Sequence, residues 1–106
     1  MEVEHQNLYG GFGIVRIDIV DLHLVPPFVS VLQYKLDPTA SIGLHQHQMD
    51  SSVMICTAGE GTVVINGEPS TLTVHGTATV PRQAQVSIQN ASNAHTFEFW
   101  MVRARR

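Results

Sequence analysis

The chain has 106 residues, a net charge of −3 at pH 7 and a single cysteine, Cys56. A chain of this length has room for one hydrophobic core, so we expect one domain over residues 1–106. The negative charge gives no electrostatic support for a nucleic-acid or anionic-membrane partner, and we expect neither. The absence of an apolar stretch of membrane-spanning length, of a signal-type segment and of a cysteine pair favours the cytoplasm.

The hydrophobic pattern is that of β-strands along the whole chain. In the opening strand predicted over about residues 13–20, Val15, Ile17 and Ile19 alternate with Arg16 and Asp18, as in a half-buried strand. Further strands are predicted over Val29–Leu36, Ser41–His47, Ser52–Thr57, Thr62–Ile65, Thr71–Val74, Thr77–Val80, Ala84–Gln89 and His95–Arg103. Closely spaced strands without helical periodicity predict an all-β antiparallel sandwich or barrel.

The sequence also predicts a hairpin turn and solvent-exposed charged residues near the chain ends. Asn66-Gly67 is typical of a type I′ hairpin turn, in which both residues need positive φ. Three of the six basic residues, Arg103, Arg105 and Arg106, stand at the end of the chain and are expected to form a solvated tail. His5, near the start, is likewise expected to face solvent.

Residues 39–59 contain two histidines, His45 and His47, followed by the glycine Gly59. This stretch resembles the first motif of the cupin superfamily: glycine, five residues, His-x-His, three or four residues, glutamate, six residues, glycine. Thr39 stands where the opening glycine is expected, and Ser52 stands at the glutamate position. Residues 76–90 resemble the second motif, with Gly76, Pro81 and Asn90 in place, Gln83 at a glycine position and Val86 at the histidine position.

The resemblance covers nearly the whole chain and implies a small single-domain cupin. Its fold would be a double-stranded β-helix, a jelly-roll-like β-barrel. Metal-binding cupins use two histidines and a glutamate from the first motif and a histidine from the second, so Ser52 and Val86 indicate a degenerate metal site. His45 and His47 remain as a weak or vestigial pair, since two neutral imidazoles bring no negative charge.

A His-x-His pair on one strand points both imidazoles to the same face, which the resemblance identifies as the barrel interior. By alternation, other side chains are predicted to line the same interior, and the predicted ligand pocket consists of His45, His47, Ser52, Met54, Cys56, Val86 and Ile88. The favoured interpretation is a barrel that binds a small molecule there without a cofactor.

One alternative function stays open. The protein could be a metal-dependent cupin enzyme of the dioxygenase, isomerase or decarboxylase type, in which His45 and His47 hold Fe, Mn, Ni, Cu or Zn weakly with a non-standard ligand set. Separately, the apolar row of the opening strand predicts a homodimer, because an exposed strand edge invites pairing with a second chain, and small cupins commonly dimerise through such a strand.

Overall fold

The computed structural model describes residues 2–21, 24–47 and 50–105, which form ten β-strands and one short 3-10 turn at Leu8–Gly10. The strands are β1 (Glu2–Gln6), β2 (Ile14–Asp21), β3 (Phe28–Leu36), β4 (Ser41–Gln46), β5 (Asp50–Ala58), β6 (Gly61–Ile65), β7 (Glu68–Leu72), β8 (Thr77–Val80), β9 (Gln85–Gln89) and β10 (Phe97–Arg105). No described helix is long and apolar enough to cross a membrane. The all-β prediction is confirmed.

The strands form two antiparallel sheets that share one core. A six-stranded sheet has the order β1-β2-β3-β10-β5-β8, and a four-stranded sheet has the order β4-β9-β6-β7. Strand β5 shows how the sequence places the core, because Ser52, Met54 and Cys56 are buried whereas the alternate Val53 and Ile55 are exposed. Buried side chains from both sheets form one cluster, including Val15, Leu36, Met54, Phe97, Phe99, Ile42, Val63, Leu72, Val86 and Ile88.

The hairpin between β6 and β7 contains the turn that its sequence predicts, but its second strand starts earlier than expected. Asn66 and Gly67 have φ values of 51° and 83°, and Ile65 pairs directly with Glu68 across them. Because a two-residue turn fixes the register of the following strand, β7 spans Glu68–Leu72 rather than residues 71–74. Strand β1 was not predicted at all, since the short and mostly polar stretch Glu2–Gln6 carries little hydrophobic signal.

Two of the motif positions have the positive φ of a glycine without being glycine. Thr39 has a φ of 64° and Gln83 a φ of 66°, both in the left-handed region that favours glycine. These are the two positions where the cupin motifs place a glycine and this chain does not. The turn geometry of the motifs is therefore retained at both positions, which supports the alignment of the motifs with this sequence.

The asparagine of the second motif is a structural residue. Asn90 is 1% exposed, and its Nδ2 donates to the carbonyl oxygens of Leu36 (3.1 Å), Asp37 (3.2 Å) and His95 (2.8 Å). Its Oδ1 accepts from the backbone N–H of Ser92 at 3.0 Å. Asn90 thereby joins the end of β9 to the end of β3 and to the segment that precedes β10. These hydrogen bonds satisfy its buried amide.

The 3-10 turn near the N-terminus packs directly onto β4. A Cβ built on Gly43 falls only 2.0 Å from the carbonyl oxygen of Tyr9, so the turn approaches β4 as closely as it does only because this residue has no side chain. The bridge between Phe12 and Ser41 continues the contact. This close packing brings the side chain of Tyr9 against His45.

The opening strand is not at an edge of its sheet. Strand β2 lies between β1 and β3, and β1 forms the edge instead. Val15 is fully buried and Ile17 packs against the core, whereas Ile19 is 46% exposed. The premise that this row of residues is free to pair with a second chain is therefore wrong, because the first strand of the same chain covers the edge.

Of the C-terminal arginines that the structure describes, Arg105 is exposed as expected, whereas Arg103 is partly buried. Strand β10 runs through Arg105 in the middle of the six-stranded sheet, with β3 on one side and β5 on the other. Alternation from the buried Phe99 and Met101 places Arg103 on the core side of the sheet. Arg106 lies outside the described residues.

Candidate functional site

A cavity of about 130 Å³ lies beside His45 and His47, between the two sheets and below the N-terminal turn. Its apolar wall consists of Leu8, Ile17, Ile42, Ile88 and Met101. Its polar wall consists of His5, Tyr9, Tyr34, His45, His47 and Arg103. No Asp or Glu of the described residues lines it. A mixed lining of this kind, with a few polar groups pointing at one volume, is typical of a small-molecule site.

His45 is held between the backbone of its own strand and the N-terminal turn. Its Nδ1 donates to the carbonyl oxygen of Gly43 at 2.9 Å, so the proton of the neutral ring is on Nδ1 and Nε2 is the acceptor. The ring stacks on Tyr9 with a centroid distance of 4.3 Å and an interplanar angle of 13°. Tyr9 is 62% exposed, so it separates His45 from the solvent at the rim of the cavity.

His47 is more deeply placed, with 7% of its surface exposed. Its Nε2 forms a hydrogen bond of 2.9 Å with Ser52 Oγ, and its ring meets that of His45 edge-on at a centroid distance of 5.9 Å. Burial lowers the pKa of His47 below its usual value, and the positive charge of Arg103 lowers it further. The neutral imidazole is therefore the favoured form in the folded protein at pH 7.

Arg103 is the charged group of the cavity. It stands directly opposite Ser52 on the neighbouring strand. Burial raises the pKa of the Tyr34 hydroxyl, while a hydrogen bond with Arg103 and its positive charge partly offset that rise. Tyr34 in turn stacks on Phe99 at 5.0 Å, which fixes its ring in the core. The cavity thus combines one permanent positive charge with hydroxyl and imidazole groups.

The structure brings together only part of the predicted pocket. His45, His47 and Ile88 line the cavity, and Ser52 reaches it through its hydrogen bond to His47. Met54, Cys56 and Val86 are buried in the core and are not part of the lining. Cys56 contacts the carbonyl oxygens of Ala58 and Gly59, and burial raises the pKa of its thiol, so it is not poised as a nucleophile.

Four polar residues of the site were not predicted from sequence. His5 and Arg103 were expected to be solvated, and Tyr9 and Tyr34 were not singled out. The period-2 pattern of Phe97, Phe99 and Met101 reaches Arg103 if it is continued by one step, so a signal for this residue was present. The positions of His5 and Tyr9 depend on the fold of the N-terminal segment over β4, for which the sequence offered no comparable signal.

The side chains do not fit a divalent metal well. Across residues 2–21, 24–47 and 50–105, no three His, Cys, Asp or Glu side chains are grouped as metal ligands. His47 Nε2 is already used in a hydrogen bond with Ser52, whose hydroxyl stands at the glutamate position of the motif. Arg103 adds a positive charge where a cation would need a negative one.

A larger groove of about 680 Å³ lies elsewhere on the surface, where Gly59, Glu60, His95 and Glu98 form part of its lining. It contains neither motif histidine, and Glu60 and His95 are exposed to solvent. The smaller cavity remains the candidate site, because motif residues and a buried charge meet there.

Comparison of the fold with solved structures identifies its type. A protein from Thermotoga maritima described as a predicted oxalate decarboxylase matches with a TM-score of 0.88 and 23% identity, over 100% of this chain and 93% of that one. The cupin domain of Schizosaccharomyces pombe Cnp3 matches with a TM-score of 0.80 and 14% identity, over 98% of this chain and 69% of that one. The chain has the cupin fold. A sugar phosphate isomerase of the cupin superfamily from Silicibacter pomeroyi also matches this chain, with a TM-score of 0.71 and 19% identity, over 87% of this chain and 60% of that one.

No family model matches the sequence. No curated protein matches it significantly either. Because the structural matches are so distant in sequence, they establish the cupin fold and leave the reaction or ligand to be argued from the residues of this chain's own cavity.

Proposed function

We propose that this cupin binds a small molecule in the cavity between its sheets, without a complete metal site. The observation that carries the proposal is the cavity itself, which places His45, His47 and Arg103 around one volume with an apolar floor. A buried cavity of about 150 Å³ is enough to hold benzene, so about 130 Å³ suits a ligand of roughly six non-hydrogen atoms.

The alternative of a metal-dependent enzyme has support from the names of two structural neighbours, the predicted oxalate decarboxylase and the sugar phosphate isomerase. The side chains of this chain argue against a metal-dependent enzyme. The neighbours of His45 and His47 are a serine, a valine and an arginine, and none of them is a carboxylate. Binding of a ligand by the side chains alone is the interpretation that uses every polar group of the cavity.

The proposal is tested with four small probes of different charge: 1-propanol, propionamide, propylamine and glycolate. Amide chemical shifts of the labelled protein are followed during titration. We expect at least one probe to shift the signals of Ile17, Ile42, Ile88 and Met101, which line the cavity. Shifts confined to other parts of the molecule for all four probes would overturn the proposal.

A cavity-filling variant provides the specificity control. Ile17→Phe places extra carbons in the cavity and should abolish the binding of any probe that binds there. Ile19→Phe is the matched control, because Ile19 is in the same strand, is 46% exposed and does not line the cavity. Binding that survives Ile17→Phe unchanged would contradict the assignment to this cavity.

We also infer a homodimer, now through the outer face of the six-stranded sheet. Val31, Val102 and Val53 are directly opposite one another on three adjacent strands, and Val53 and the nearby Ile55 are 37% and 38% exposed. An apolar row of this kind on an outer face fits association with a second copy. Sedimentation should give twice the 11.7 kDa chain mass. Val53→Arg should reduce the measured mass to that of one chain. Leu44→Arg, on the other sheet, is the control and should leave the mass unchanged. A wild-type protein that sediments as one chain would refute the dimer.

A further inference from the structure

We infer that the ligand of the cavity is a compact monocarboxylate that pairs with Arg103. The inference rests on the proposed function, since it names the class of molecule that the same cavity takes. It comes from a charge that the described residues leave without an acidic partner, rather than from the two motif histidines.

Other basic side chains of the six-stranded sheet have acidic partners. Arg16 forms ion pairs with Asp37 and Glu4, Lys35 lies 3.4 Å from Glu2, and Arg105 Nε donates to Asp50 at 3.0 Å. Arg103 differs, because no carboxylate of the described residues lies within ion-pair distance of it. Asp50, the nearby acid on the adjacent strand, is bonded to Arg105.

Arg103 also has a hydrogen-bonding group without a partner. Its Nε is buried and has no acceptor among the described residues. Buried polar groups are rarely left in this state, and a charged group without a partner is more costly than a neutral one. An oxygen acceptor bound in the cavity beside Arg103 would supply the hydrogen-bond partner that Nε lacks.

A carboxylate matches this arrangement in shape. The planar guanidinium binds the two oxygens of a carboxylate through two parallel N–H···O bonds, which adds geometric selectivity to the charge attraction. A hydroxyl or carbonyl next to the carboxylate could exchange hydrogen bonds with His45, His47 or Tyr34 on the same walls. The apolar residues Ile17, Ile42 and Ile88 suit a short carbon skeleton.

The size and charge of the cavity narrow the class further. A volume of about 130 Å³ limits the ligand to roughly six non-hydrogen atoms. The cavity offers one permanent positive charge, that of Arg103. A monoanion is therefore balanced by Arg103, whereas a dianion such as sulfate would leave a negative charge unmatched in a partly buried site.

The test compares probes of equal size and different charge. Glycolate and glycolamide have the same number of non-hydrogen atoms, and only glycolate is an anion. Chemical-shift titrations should show that the wild-type protein binds glycolate in the cavity at least about tenfold more tightly than glycolamide or sulfate, a difference of about 1.4 kcal/mol. Equal affinity for glycolate and glycolamide would overturn the inference.

Variants of Arg103 and Arg105 then show which arginine binds the carboxylate. Arg103→Met should remove the preference for glycolate, and Arg103→Lys should keep part of it, because an ammonium retains the charge without the planar fork. Arg105→Met is the matched control, since Arg105 is on the same strand and binds Asp50, and it should leave glycolate binding unchanged. Loss of binding in Arg105→Met with retention in Arg103→Met would refute the assignment.

The same titrations distinguish a failure of the carboxylate inference from a failure of the proposed binding function. If glycolate does not bind but 1-propanol, propionamide or propylamine shifts the cavity signals, the carboxylate assignment is wrong and the binding function stands. If no probe binds in the cavity, both are wrong. If glycolate binds in the cavity with dependence on Arg103, both are supported.

Discussion

Ser52 Oγ lies 2.9 Å from His47 Nε2, at the position where the first cupin motif places a glutamate. Val86 stands directly opposite His45 on the neighbouring strand, at the position of the second-motif histidine. Two substituted positions thus adjoin the two retained histidines. We propose that a hydroxyl and an aliphatic side chain stand here in place of two metal ligands.

Restoring those two ligands should restore metal binding. The double variant Ser52→Glu with Val86→His would bring a carboxylate beside His47 and an imidazole beside His45, which suits Zn²⁺, Fe²⁺ or Ni²⁺. We expect Zn²⁺ affinity to rise on the order of tenfold or more, at least about 1.4 kcal/mol, measured by calorimetric titration. Thermal stability of the variant should then increase with added Zn²⁺.

Arg103 provides an internal control for that experiment. Because Arg103 is paired in register with Ser52, it would attract the new glutamate and compete with the metal. Adding Arg103→Met to the double variant should therefore tighten Zn²⁺ binding further, and adding His45→Ala should abolish it. A folded double variant that binds Zn²⁺ no better than the wild-type protein would show that these four positions do not converge.

Glycine in place of Thr39 or Gln83 should stabilise the folded protein. Thr39→Gly and Gln83→Gly relieve positive φ at exposed positions, where no side-chain packing is lost. A left-handed residue costs about 1–2 kcal/mol and glycine loses about 0.5–1 kcal/mol in backbone entropy, so each change should add up to about 1 kcal/mol of stability. Denaturant unfolding measures the gain, and Thr39→Ala, which keeps the strain, should show none. A destabilised Thr39→Gly would contradict the argument.

The N-terminal turn should be displaced by a single methyl group. Gly43→Ala puts a Cβ about 2.0 Å from the carbonyl oxygen of Tyr9, a contact that only movement of the backbone can relieve. We expect a loss of about 1–3 kcal/mol in unfolding free energy and a change in the ring-current shifts of His45, as Tyr9 moves away from it. Leu44→Ala, at the next and 63% exposed position, should change neither quantity. Unchanged His45 signals in Gly43→Ala would be inconsistent with this packing.

Stability should decrease in mild acid because of His47. Its folded-state pKa is lowered from 6.5 by burial and by Arg103, so the unfolded chain takes up the proton first as the pH falls. The free energy of unfolding should be at its full value above pH 6.5 and decrease as the pH falls from there through the lower folded-state pKa. His47→Gln, which can keep a hydrogen bond to Ser52, should show a flatter profile between about pH 7.5 and pH 5. Identical slopes for the two proteins would exclude His47 as the cause.

Much of the fold could be predicted from sequence because its signals are local. Alternation identified the course of β2, and Asn66-Gly67 identified a hairpin turn from two residues. The short polar strand β1 has no such signal, and its pairing with β2 depends on contacts formed only in the folded protein. Local pattern thus predicts elements more reliably than it predicts which strand lies at an edge.

The site was harder to predict because its charged residue, Arg103, lies in a part of the sequence that does not indicate whether it is buried or solvated. Arg103 belongs to a short basic run at the chain terminus, which is usually solvated, and only its place in the centre of the sheet turns it toward the cavity. Tyr9 and His5 reach the same cavity through the N-terminal segment. Motif spacing identified His45, His47 and the Ser52 and Val86 positions, whereas the residues that set the charge and the rim required the tertiary structure.

Metal content is the most direct measure of whether the site has lost its metal function. The protein, purified without added metal and dialysed against a chelator, is analysed for iron, manganese, nickel, copper and zinc by mass spectrometry. A His47 imidazole bonded to Ser52, a cavity lining without Asp or Glu among the described residues and an adjacent arginine predict well under one equivalent of total metal per chain. Near-stoichiometric metal that survives the chelator would contradict the account and would favour a metal-dependent enzyme.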